Sequence, residues 1–134
     1  MLSLSEYKTL IEHSPILIWR SNKDALCDYF NEGWLEFRGR TMEQEYGNGW
    51  SEGVHPDDFD RCLEIYMGSF NKQESFEMEY RLKRFDGAYR WVLDKGAPLY
   101  GNNGEFTGYI GSCIDVTERV EAQESLQGMV GVGA

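Results

Sequence analysis

No apolar run in the 134 residues approaches the ~18 that a membrane helix needs. The N-terminus, MLSLSEYK, also lacks the charged-then-apolar layout of a signal peptide. The sequence therefore reads as cytoplasmic, with no membrane contact of its own. Basic residues are few, 13 against 23 acidic, for a net charge of −10. A surface of that sign repels phosphate backbones and argues against a nucleic-acid partner. Cysteine is limited to Cys27, Cys62 and Cys113, odd in number and widely spaced. Without a CxxC or CxxCH pattern, zinc, dithiol redox and c-type haem sites lose their support, and buried structural thiols remain. Internal repeats are also missing, and the Gly-rich tail GMVGVGA reads as a frayed end or linker stub.

What is present suits one packed domain: 41% hydrophobic residues and a high aromatic share of 14%. Ser3 or Ser5 can cap a short helix through His13, with Leu4, Tyr7, Leu10 and Ile11 at helical spacing. ILIWRS (16–21) and ALCDYF (25–30) read as antiparallel strands around a turn. Asn31 is placed to cap a helix in EGWLEFRGR, and Thr41 with Gln44 matches a capping box. From Pro56 to about Asn71 the apolar residues recur at helical spacing.

The C-terminal half alternates. Phe76, Met78, Tyr80 and Leu82 share one face, with charged residues between them. Asp86-Gly87 predicts a two-residue hairpin, Gly96-Ala97-Pro98 a bulge, and Asn102-Asn103-Gly104 a second turn before FTGYIGSCID. The expected class is α+β: five strands in one antiparallel sheet, with short helices on one face.

Four segments in this order resemble the PAS sensor family: IEHSPILIW, WSEGVHPDDFDRC, FEMEYRLKRFDGAYRWV with GAPLY, and GYIGSCIDVTER. Trp91 in RWV is similar to one subgroup, and Val116 stands where the Asp-Ile-Thr signature has Ile. The resemblance implies sheet order 2-1-5-4-3 and a pocket between sheet and helices. It divides the chain into a flanking helix over 1–14, a core over 15–118 and a C-terminal signalling helix or linker stub over 119–134. It also implies signalling rather than catalysis, upstream of an output domain such as a histidine kinase or a diguanylate cyclase, absent from this chain. A ligand-free dimerisation or scaffold module of the same fold is the alternative.

Candidate pocket residues are Trp19, Phe30, Trp34, Phe37, Trp50, Tyr66, Phe70, Met78, Tyr80, Trp91 and Ile114. An aromatic lining with few polar tips suits a small flat or hydrophobic ligand of unknown identity, or simply fills the space. Haem is not expected, since 57–71 contains no His, and flavin is not, since Cys62 lies outside the reactive-cysteine motif of the flavin-binding members. His55-Pro56-Asp57-Asp58 reads as a helix start rather than a metal or acid–base site. An enzyme would need a carboxylate isolated in an apolar pocket, for which Asp28 and Asp94 are the residues to watch.

Asp115 with Glu118 looks like a capping-box pair, Thr117 offers another cap, and Arg119 could pair with a carboxylate. Asp115, Thr117, Glu118 and Arg119 are thus the expected signal junction. The amphipathic N-terminal helix and the apolar outer sheet face predict a homodimer, with a monomer whose own N-terminal helix caps that face as the alternative.

Overall fold

The computed structural model describes residues 1–133, with side chains to Gln127, and Ala134 lies outside it. Capping chemistry sets the element boundaries. Ser3 and Glu6 close a capping box at the start of α1 (Leu4–Glu12). β1 (Leu17–Asn22) and β2 (Cys27–Phe30) follow. β2 begins later than the sequence pattern suggests. Ala25 takes a left-handed conformation, and Asn22 Oδ1 accepts the N–H groups of Asp24 and Leu26, which lengthens the turn. Next come α2 (Glu32–Arg38), α3 (Met42–Glu45) started by the Thr41–Gln44 capping box, and a 3-10 turn over Gly49–Gly53. α4 (Pro56–Lys72) has Pro56 in its first turn, and His55 Nδ1 accepts the Asp57 N–H.

β3 (Phe76–Lys83), β4 (Tyr89–Tyr100) and β5 (Phe106–Asp115) make the meander. The first hairpin has a three-residue loop, not two. Arg84 N–H bonds Ala88 C=O at 2.8 Å around Phe85-Asp86-Gly87, and Gly87 supplies the left-handed residue at φ 85°. The second hairpin repeats this form around Asn102-Asn103-Gly104. Pro98 marks no bulge: β4 pairs with β5 in register through Leu99, and the irregularity falls at Leu99/Tyr100. β3 begins opposite Gly96, at Phe76, so Pro98 sits beyond the reach of β3, where a missing N–H breaks no ladder bond with it.

The strands form one antiparallel sheet in the order β2-β1-β5-β4-β3. Its inner face carries Leu17, Trp19, Met78, Tyr80, Val92, Tyr109 and Cys113, packed with Phe30, Trp34, Cys62 and Tyr66 in one core. Asn31, fully buried, uses its whole amide: Oδ1 accepts from Ile18 and Trp34, and Nδ2 donates to Ile11 and Ile16. That one side chain pins the end of α1, the start of β1 and α2 together. Asp58 does the same between α4 and β3, accepting from the Arg81 backbone and, bidentately, from its guanidinium at 2.9 and 3.0 Å. Glu45, also fully buried, takes Trp34 Nε1 and Arg38 Nε on one oxygen, with Arg40 at 3.0 Å from the other.

α5 (Thr117–Gly133) leaves the end of β5. It continues through residues 128–133, within the stretch expected to be a signalling helix or linker stub, since extending a nucleated helix is easy compared with starting one. No helix among the described residues is long and apolar enough to cross a membrane.

Candidate functional site

Two glycines shape the centre of the inner face. Trp19 lies opposite Gly111, and Phe76 opposite Gly96, in neighbouring strands. A Cβ at Gly111 would come within 2.3 Å of the Trp19 indole, and one at Gly96 within 2.4 Å of the Phe76 ring. Both rings therefore lie flat across the sheet, stacked at 6.0 Å between centroids. Lying across Gly111 lets the Trp19 indole, on β1, reach over β5 to β4. There its Nε1–H donates to Asp94 Oδ1 at 2.9 Å.

Asp94 is 3% exposed, and its other oxygen accepts the Tyr80 hydroxyl at 2.9 Å. Tyr80 Oη also stands 3.7 Å from Cys113 Sγ, where either atom serves as donor. Burial pushes the Asp94 carboxyl up to about 6, with the hydrogen bonds from Trp19 and Tyr80 pulling the other way. This is the isolated, perturbed carboxylate that an enzyme reading requires. Asp28 is not another: it is half-buried and paired with Arg20 at 3.0 Å.

Asp94 borders a cavity lined by Trp19, Cys27, Phe30, Trp34, Trp50, Tyr66, Phe76, Met78 and Tyr80. The open space is about 10 Å³, enough for one water molecule. Nothing of substrate size fits against the carboxylate in this state. Trp50 Nε1 and Tyr66 Oη, both in the cavity lining, are buried with no hydrogen-bond partner among the described residues.

Seven of the candidate pocket residues line this cavity: Trp19, Phe30, Trp34, Trp50, Tyr66, Met78 and Tyr80. Phe70 stands apart, stacked on Tyr109 at 5.5 Å between centroids in a neighbouring aromatic cluster. Phe37 lines a surface groove with Phe85. Trp91 and Ile114 do not belong to the pocket at all. Strand alternation puts both on the outer face, where Ile114 is 45% exposed and the Arg81 guanidinium lies 5.0 Å from the Trp91 ring centre. Cys27, Phe76 and Asp94 are lining residues absent from the sequence-based set. Phe76 was legible from alternation, and Asp94 follows from it two positions on from Val92.

His55 and His13 lie away from the cavity, His55 against Tyr89 and His13 beside Glu32. Cys62 is buried on α4 but does not line the cavity, and burial pushes its thiol up to about 11.

The junction after β5 is built from the outer side. Thr117 Oγ1 accepts the Trp91 N–H at 2.8 Å, and the Val116 N–H donates to the Trp91 carbonyl at 2.8 Å. Asp115 Oδ1 accepts the Thr117 N–H at 2.9 Å, while Arg90 Nε donates to Oδ2 at 2.8 Å. The first turn of α5 is thereby tied to β4, a strand away from the one it follows. Burial alone would raise the Asp115 carboxyl, but Arg90 and Thr117 hold it below the usual range. Arg119 reaches Glu79 on β3 and Gln123 on its own helix. The expected Asp115–Glu118 capping box does not form. The helix begins at Thr117, so Asp115 stands two residues before it and bonds the Thr117 amide, leaving Glu118 exposed.

A family model described as PAS fold matches residues 28–113. An uncharacterised protein of Sinorhizobium fredii is 37% identical over 122 residues, 91% of this chain and 15% of that protein. The peroxide stress-activated histidine kinase mak1 of Schizosaccharomyces pombe is 30% identical over 132 residues, 92% of this chain and 8% of that one. The chain thus spans only 15% and 8% of these relatives' lengths. Among solved structures, the N-terminal domain of a diguanylate cyclase with PAS/PAC sensor from Marinobacter aquaeolei superimposes with a TM-score of 0.69. That match, at 20% identity, covers 78% of this chain and 97% of that one, and speaks for the fold.

Proposed function

Since the chain belongs to the PAS family, we propose that it is a non-enzymatic sensory module of a larger cytoplasmic signalling protein. A change in the core shifts β5, and the Asp115-Val116-Thr117 junction passes that shift through α5 to a C-terminal output domain. The relatives support a histidine kinase or a diguanylate cyclase as that output. The observation that carries the reading is the double tie of Thr117 and Val116 to Trp91, beside the Asp115–Arg90 pair. These bonds make the start of α5 follow the sheet rather than swing freely, which a two-state output element requires.

α1 supports a homodimer. It buries no residue, and Leu4 and Leu10 stand exposed. Beside it the outer sheet face holds a shallow groove of about 680 Å³ with Ile11, Ile18, Ala97 and Ile110 in its lining. A twin helix on this face is the proposed occupant. In the full-length parent, Asp115→Ala and Thr117→Ala should uncouple input from output while the domain stays folded by circular dichroism. Unchanged signalling in both would sink the junction.

The scaffold reading draws on one observation, the closure of the core around a single water-sized space. Native mass spectrometry of the purified chain separates the two. A co-purified small molecule supports the sensor, and a ligand-free dimer whose signalling survives core substitutions supports the scaffold.

A further inference from the structure

Asp94 is the meeting point of four strands. It sits on β4, opposite Cys113 of β5, and takes hydrogen bonds from Trp19 of β1 and Tyr80 of β3. The titratable groups facing it are Tyr80, Cys113, Cys27 of β2, and Cys62 and Tyr66 of α4. All five are held in their neutral forms by burial, which raises each thiol and phenol. Among the described residues no cation pairs with Asp94. A buried carboxylate satisfied only by neutral donors is the kind of group that relieves its desolvation by binding a proton.

We propose that Asp94 is a proton-binding site, and that a proton taken from solvent reverses the hydrogen-bond chain Asp94–Tyr80–Cys113. With Asp94 ionised, the Tyr80 hydroxyl donates to the carboxylate, and its oxygen is free to accept the Cys113 S–H. With Asp94 protonated, the new carboxyl O–H donates to Tyr80 Oη, and the Tyr80 hydroxyl turns to Cys113 Sγ. The 3.7 Å Tyr80–Cys113 contact serves both directions. Only one proton is gained, and no bond between heavy atoms changes. The reversal ends on β5, two residues before Asp115. Its relevance to α5 rests on the sensory reading above, whereas the proton site does not. The elevated carboxyl, about 6, places the change near neutral pH.

The test is infrared difference spectroscopy of the 134-residue chain between about pH 5 and about pH 8. The expected result is loss of a protonated-carboxyl band, with a midpoint near 6, in step with a shift of one cysteine S–H band. Asp94→Asn should abolish both. Cys113→Ala should remove the S–H response and keep the carboxyl band, and Tyr80→Phe should uncouple the two. If Asp94→Asn does not fold, the other two variants still decide the matter. A carboxyl band that survives in Asp94→Asn overturns the site. Carboxyl titration without any Cys113 response in the native chain overturns the relay. None of these readouts uses the output domain, so a failure of the junction in the parent is distinguishable from a failure here.

Discussion

On the inner face, Asp94 is held by an indole and a phenol with no counter-charge among the described residues, and its carboxyl is lifted to about 6. On the outer edge, Asp115 is held by Arg90 and the Thr117 amide, and its carboxyl is lowered. Both carboxylates are well hydrogen-bonded, so hydrogen bonding alone does not set the direction. What differs is water and charge. At Asp94 no cation offsets the desolvation of the ionised form, whereas Arg90 offsets it at Asp115. The inner site thus favours a neutral acid and the outer a fixed anion, the first able to change state near neutral pH and the second to hold a geometry.

The comparison can be broken first by removing the ring that crosses it. Trp19→Ala deletes a buried side chain and one of the two donors to Asp94, and is expected to cost about 3–5 kcal/mol in urea unfolding. A cost near that of a surface change would mean that the indole does not organise the core.

A second measure is the pH dependence of stability in the native chain against Asp94→Asn. Because the folded carboxyl is raised from 3.8 to about 6, its favourable contribution is complete below 3.8 and is lost as pH rises through about 6. Native stability should therefore fall relative to the variant across that window, by on the order of 3 kcal/mol. Asp58 and Asp115 act with the opposite sign, contributing stability that is lost as pH falls below the ordinary carboxylate range. They are common to both proteins, so the difference profile isolates Asp94. A flat difference would remove the contrast between the two carboxylates.

The smallest effects belong to the outer edge. Thr117→Val leaves the Trp91 N–H without its partner and should cost about 1–2 kcal/mol. Arg119→Ala breaks a solvent-exposed pair with Glu79 and should change stability by less than about 0.5 kcal/mol. Equal costs for the two would show that the junction is held by surface charge rather than by the threonine tie.

The meander was legible because its signals are local. Alternation from Phe76 to Leu82 sets which side chains face inward, and capping residues such as Asn31 and Thr41 mark helix starts within three residues. Hairpin loops were legible in place but not in length, since three-residue and two-residue loops share the Asp-Gly signal and differ in how the flanking residues pair. Trp91 and Ile114 were misplaced because aromatic or apolar character does not name a face, whereas register does. Asp94 was marked as a candidate carboxylate but its partners were not, and Asp58 and Glu45 left no mark as buried groups, since each is stabilised by partners remote in sequence or on another element.

By itself, then, the amino-acid order determined the strands, the helices, their order and the family to which the chain belongs. These follow from periodicity and from contacts within a few residues. Only the tertiary structure decided that Trp19 crosses Gly111 to Asp94 and that Thr117 is tied to Trp91. Those bonds join residues 75 and 26 positions apart, and a burial penalty on a carboxylate exists only once the surrounding side chains have excluded water.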